Sequence, residues 1–240
     1  MAKRYTMRMI GLIGGLSWES TAQYYRIINQ KARKMLGGVH SARCLVYSFD
    51  FGEVERSQAA GDWEAATEMM GQAARSLERG GADLLLICSN TMHKMADEVA
   101  ASVSVPLLHI ADPTGEAIRA SGMRTVGLLG TSFTMEQEFY RGRLQERFGL
   151  EVLIPEAGEI GLVHQVIYEE LVRGVVAPES RAGYQEVMAN LVSRGAQAII
   201  LGCTEIMLLI KPGDCPVPLF DTTTLHAEAA LGMALHGALT

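Results

Sequence analysis

The chain of 240 residues is short of several things that would announce a function directly. Aromatic residues make up 6% of it, prolines number seven and cysteines four. The prolines are scattered and 48% of the residues are hydrophobic, which excludes a disordered or Pro-rich chain. Cysteines stand at 44, 88, 203 and 215 with no CxxC pair and no metal-ligand spacing to the six histidines. That excludes a disulfide framework and a zinc site, and favours free thiols in a reducing compartment. No basic run exceeds Lys31-Ala32-Arg33-Lys34 and the formal net charge is −6, so nucleic acid is not an expected partner. No segment approaches the roughly 18 apolar residues of a membrane span. Met1–Arg8, followed by the apolar Met9–Ile13, has the charge order of a signal peptide. Its apolar run is too short, and a first β-strand is expected there instead. These absences together predict a cytoplasmic protein.

What is present is alternation. Short apolar runs at Met9–Ile13, Ala42–Ser48, Leu84–Ile87, Leu107–Ile110, Thr125–Leu129, Glu151–Ile154, Ala198–Leu201 and Pro218–Phe220 are separated by helical patterns. Strand and helix in strict alternation predict an α/β fold with parallel sheet. The chain also repeats itself. "MIGLIGGLSWES" from Met9 matches "TVGLLGTSFTME" from Thr125, "GGADLLLICSNTM" from Gly80 matches "RGAQAIILGCTEI" from Arg194, and "VPLLHIADPTGEA" matches "VPLFDTTTLHAEA". Three matches in order at nearly constant spacing indicate two copies of one α/β unit. The expected lobes are residues 1–114 with 222–240, and residues 115–221. Two pseudo-symmetric lobes with facing strand ends predict a small-ligand site in the cleft between them.

The repeat selects the working positions. It pairs Cys88 with Gly202 and Ser89 with Cys203, each of the latter just past a strand and expected to open a helix. Because side chains alternate along a strand, Cys88 is expected to point away from Ser89 and to act as a small core hydrophobe. A helix N-terminus would favour a Cys203 thiolate. The alternative for Cys203 alone is another buried cysteine, and its symmetry with the polar Ser-Asn-Thr turn favours function.

"GLIGGLSWEST", "SNTMHK", "GTSFTMEQ" and "GCTEI" resemble the cofactor-independent aspartate/glutamate racemase family over essentially the whole chain. The resemblance implies a racemase without metal, PLP or nucleotide, homodimeric, with two cysteines on opposite faces of the substrate Cα. Here the first of those positions holds Ser89 while Cys203 remains, as in an atypical subgroup with a hydroxyl residue at the first position. The resemblance makes Cys203 the base that takes the Cα proton of an L-amino acid and places Ser89 on the opposite face. It also makes Leu16 and Gln58 substrate contacts.

The residues themselves suggest the rest of the site. Asn90, Thr91 and Thr204, with backbone N–H groups at two helix starts, form a cradle for a carboxylate. Thr131 joins them by symmetry, whereas Ser17, Ser132 and Thr134 are equally well read as helix caps. His93, four residues after Ser89, is expected in the supporting shell, and Glu205 either assists proton transfer or complements a helix dipole. The lysine that acidic-substrate members carry before an "IYEEL"-like helix is replaced by Glu159-Ile160-Gly161-Leu162-Val163-His164. Arg56 or His164 would have to compensate, or the substrate side chain is neutral. Three other readings stay open: a malonate-type decarboxylase, a cis-trans isomerase and a non-catalytic amino-acid-binding protein.

Overall fold

The computed structural model of the protein describes residues 7–235. Most of the leader-like stretch, Met1–Thr6, and the end of the expected first lobe, residues 236–240, lie outside the described residues.

The chain divides into two compact units. One comprises the chain up to Cys88, Met95–His109 and the chain from His226 on; the other comprises Ser89–Lys94 and Ile110–Leu225. The first contains β1 (Ile10–Gly14), α1 (Trp18–Leu36), β2 (Cys44–Ser48), α2 (Phe51–Ala60), α3 (Trp63–Arg79), β3 (Leu84–Ile87), α4 (Ala96–Ala101) and β4 (Leu107–Leu108). The second contains α5 (Ala111–Ala120), β5 (Thr125–Gly130), α6 (Ser132–Glu136), α7 (Glu138–Phe148), β6 (Glu151–Leu153), α8 (Ala157–Glu169), α9 (Pro178–Ser193), β7 (Ala198–Gly202), α10 (Ile206–Leu209) and β8 (Leu219–Asp221). Helix α11 (Thr222–Leu235) begins in the second unit and continues in the first.

Each unit holds a four-stranded parallel sheet, ordered β2-β1-β3-β4 in one and β6-β5-β7-β8 in the other. The same permutation in both is the sequence repeat expressed as topology. Every strand anticipated from an apolar run is present, displaced by a few residues at most. Strands β1, β3 and β7 are buried at every position. Helices cover both faces of a parallel sheet, so its central strands read as continuous apolar runs with no polar alternation.

In the first unit Ile10, Leu12, Leu84 and Leu86 pack with Tyr24 and Ile28 of α1 and with Ala227, Ala230 and Leu231 of α11. The Tyr24 hydroxyl bonds His226 Nδ1 at 2.8 Å, and His226 Nε2 bonds the Leu108 carbonyl at 2.9 Å. The second core gathers Val126, Leu128 and Ile199 with Tyr140, Val163 and Leu191. Truncating one such leucine or isoleucine to alanine costs about 2–5 kcal/mol.

The units differ from the expected lobes at three short segments. Residues 89–94 and 110–114, and the first turn of α11, sit with the second unit. Within that unit these segments are tied to one another by the Asn90–Thr222 and Ile110–His93 bonds, and to the end of β5 by the Thr91–Thr131 bond. No helix among the described residues is long and apolar enough to cross a membrane.

Candidate active site

Strands β5 and β7 run side by side to their ends, where Gly130 faces Gly202. A Cβ on Gly130 would stand 2.7 Å from the Gly202 carbonyl oxygen, and one on Gly202 would stand 2.7 Å from that of Leu129. Backbone cannot yield as a flexible side chain does, so only glycine fits either position. The next residues along the two strands are Thr131 and Cys203.

Cys203 is buried, and its thiol donates to Glu205 Oε2 at 3.0 Å. The Thr204 hydroxyl donates to the same oxygen at 2.9 Å. Burial holds the Cys203 thiol well above its ordinary value, and the neighbouring Glu205 charge pushes in the same direction; backbone N–H bonds oppose them weakly. This corrects the expectation of a thiolate favoured by a helix start. Cys203 lies in a turn ahead of α10, a helix of four residues, too short to present a useful dipole. The group positioned to receive the thiol proton is a carboxylate.

The turn after β3 departs from expectation in the same way. Thr91–Met95 form a 3₁₀ turn before the six-residue α4, so no long helix opens at Ser89. The turn is held by side chains instead. Ser89 Oγ accepts from the Met92 N–H at 3.4 Å. His93 Nδ1 meets the Ser89 carbonyl at 2.6 Å while Nε2 meets the Ile110 N–H at 3.1 Å. A carbonyl only accepts and an amide N–H only donates, so the ring is the neutral Nδ1–H tautomer.

The hydroxyls of Thr91, Thr131 and Thr134 converge. Thr91 lies 2.9 Å from Thr131, Thr131 lies 3.2 Å from Thr134, and the third pair is 3.5 Å apart. Thr131 also caps α6 by accepting from the Thr134 N–H, so capping and clustering share one residue. Asn90 donates through Nδ2 to Thr222 Oγ1 at 3.1 Å, and Thr222 donates to the Leu201 carbonyl at 2.9 Å. That chain ties the residue after Ser89 to the end of β7, two residues before Cys203. Asn90 Oδ1 is buried and has no hydrogen-bond partner among the described residues. Thr134, which the sequence offers equally as a cap, joins the cluster, whereas Thr222 is not among the site residues expected from the sequence. The run Thr222-Thr223-Thr224 directly after an apolar strand is the signal that could have found it.

Ser89, Asn90, Thr91, His93, Thr131, Cys203, Thr204 and Glu205 therefore all fall within the second unit. Leu16, in the turn after β1, and Gln58, on α2, are buried residues of the first. Cys88 lies in the first unit's core, where burial raises its thiol far above the ordinary range. His164 Nδ1 accepts from the Ser132 N–H at 3.1 Å, with its ring packed against Tyr168 and Phe133. Desolvation lowers its proton affinity below the usual imidazole value. Among the described residues, no group of three or more His, Cys, Asp or Glu side chains is arranged to hold a metal ion.

Residues 13–230 match the family model for Asp/Glu/hydantoin racemases. The chain belongs to the Asp/Glu/hydantoin racemase family. Among solved structures, this family member is similar to a Yersinia pestis protein described as a candidate Asp/Glu racemase. The two are 51% identical with a TM-score of 0.88 over 95% of this chain and 100% of the other. An aspartate racemase homologue from Pyrococcus horikoshii OT3 is 35% identical, with a TM-score of 0.82 over 95% and 99% of the two chains. The broad specificity amino-acid racemase RacX of Bacillus subtilis (strain 168) is 23% identical over 243 residues, 95% of this chain and 98% of that one. The two solved structures match this fold over 95% of the chain.

Proposed function

We propose that the protein inverts amino acids at Cα by proton exchange between its own side chains, with Cys203 and Glu205 as the working pair. The observation that carries this reading is the buried thiol–carboxylate contact of 3.0 Å beside a cluster of converging hydroxyls. Two adjacent buried anions repel strongly, so the pair carries one proton between them. It is either thiol with carboxylate, or thiolate with carboxylic acid. The second form reacts. Glu205 Oε2 takes the thiol proton, the thiolate sulfur takes the Cα proton of the L-amino acid, and the electron pair of the broken C–H bond stays on Cα. A proton relayed from water through the Ser89 hydroxyl then bonds to Cα from the opposite face, and Glu205 gives its extra proton back to solvent, which restores the thiol–carboxylate pair.

Asn90, Thr91, Thr131 and Thr204 supply donors for the substrate carboxylate, which must be held as charge builds on the adjacent carbon. Ser89 is a weaker partner than Cys203. Its hydroxyl has no accessible anion near neutrality and serves as a donor or a relay. His93 is held neutral at both nitrogens and supports the Ser89 turn without carrying the proton. A neutral His164 supplies no positive charge for an acidic side chain. With His164 set aside, Arg56, exposed on α2, is the cation left for an acidic side chain, and the substrates we propose include amino acids with neutral side chains alongside the acidic ones after which the family is named. One thiol in the site also suits a decarboxylase that protonates a carbanion on a single face.

Proton NMR of a panel of L-amino acids in D₂O, with chirality read in parallel, decides between these readings. Racemisation predicts loss of the Cα–H signal together with accumulation of the D-enantiomer. Cys203→Ala lowers both by the roughly 10²–10⁴-fold typical of a positioned base. Carbon dioxide release from a malonate, with no Cα exchange in any amino acid, would select the decarboxylase. Because enantiomers in water have equal free energy, kcat/KM must be equal in the two directions. A slow Ser89 half-reaction therefore shows as exchange of L substrate outrunning inversion, and Ser89→Cys should narrow that gap.

A further inference from the structure

The second unit contains a depression of about 320 Å³ at the opposite end of its sheet. Arg119 and Arg124 line it with Met123 and Phe148, and the turns at Gly122 and Gly149 form its rim. Arg124 immediately precedes β5, whose far end runs into Thr131, so this depression is separate from the thiol–hydroxyl cluster. We propose that it is a binding site for a small molecule bearing a multivalent oxyanion, a phosphate or polycarboxylate group.

Three observations carry the assignment. Both guanidinium groups are without an ion-pair or hydrogen-bond partner among the described residues, whereas nearby Arg143 and Arg147 are both engaged by Asp112. The arginines are also not consumed as helix caps. The last carbonyls of α5 are bonded by the N–H groups of Ser121 and Gly122, and those of α7 by Gly149 and Leu150. Finally, Arg124 projects from a fixed point. Its N–H donates to Gln197 Oε1 at 2.8 Å, and its carbonyl accepts from the Glu151 N–H at 2.8 Å. Two forked cations lining one concavity can each donate a pair of N–H groups to two oxygens of a phosphate or carboxylate. Phe148 and Met123 offer an apolar surface to the rest of such a molecule.

The test is amide NMR titration of the whole protein with pyrophosphate and, separately, with citrate. Saturable shifts centred on the Gly122 and Gly149 amides are expected with at least one probe, and the probe that binds identifies the source of the oxyanion. Arg119→Gln with Arg124→Gln should weaken that binding by at least about tenfold, the scale of a lost charged hydrogen bond. Both positions are exposed, so circular dichroism and racemase activity without probe should not change. Absence of saturable binding by either probe overturns the proposal. So does undiminished binding by the double variant, or shifts centred on Thr131 and Cys203.

Discussion

The Cys203 thiol hydrogen-bonds Glu205 Oε2 at 3.0 Å in a site where both residues are buried. The contact has two opposed effects. Glu205 raises the thiol's hold on its proton, and it is also the group best placed to remove that proton.

Those effects separate by substitution. The thiol lies above its ordinary value of 9.0, so at any pH below that range less thiolate is present than for a free cysteine. Alkylation of Cys203, followed by peptide mass spectrometry, should therefore keep accelerating as pH rises past 9.0. Glu205→Gln keeps the shape and removes the charge, so the alkylation midpoint should move to lower pH while remaining raised by burial. Turnover should move the other way and fall, by roughly 10²-fold or more if Glu205 is the proton acceptor. A Glu205→Gln protein with the midpoint lowered and turnover intact would leave Glu205 no role in the chemistry.

His93 bridges the Ser89 carbonyl and the Ile110 N–H. His93→Leu strands both groups, and each buried orphan costs about 1–3 kcal/mol. His93→Asn retains a donor toward Ser89 and should recover part of that stability. Since the imidazole is not the proton carrier, the pH–rate profile of His93→Asn should keep the wild-type shape at reduced kcat. Loss of an acidic limb in that variant would make His93 a titrating participant.

Gly130→Ala drives a methyl group against the Gly202 carbonyl. The strain should cost about 1–3 kcal/mol, read as a lower urea midpoint, and should displace Thr131 enough to depress turnover. Gly161→Ala on α8 is the control, because an added Cβ meets nothing within 4 Å. It should stabilise the protein by about 0.5–1 kcal/mol, the helix-propensity difference. Equal effects of the two changes would show that the close approach of β5 and β7 carries no constraint.

By itself the sequence determined the fold class, the number and order of strands, the duplication and the equivalence of Ser89 with Cys203. The reason is that burial of a parallel sheet on both faces leaves long-period apolar runs, and glycine repeats mark where two strand ends come close. Neither depends on distant contacts. Tertiary structure decided what those positions are chemically. The expected helix starts at Ser89 and Cys203 are a 3₁₀ turn and a four-residue helix; His93 bonds the backbone at Ser89 and Ile110, while Glu205 bonds the Cys203 and Thr204 side chains. The folded chain also places Ser89–Lys94 in the second unit, and burial, with the neighbouring Glu205 charge, sets the Cys203 thiol above its ordinary proton affinity. No local pattern carries that information: the ionisation of a thiol is fixed by burial and by neighbouring charge, and the folded chain supplies both.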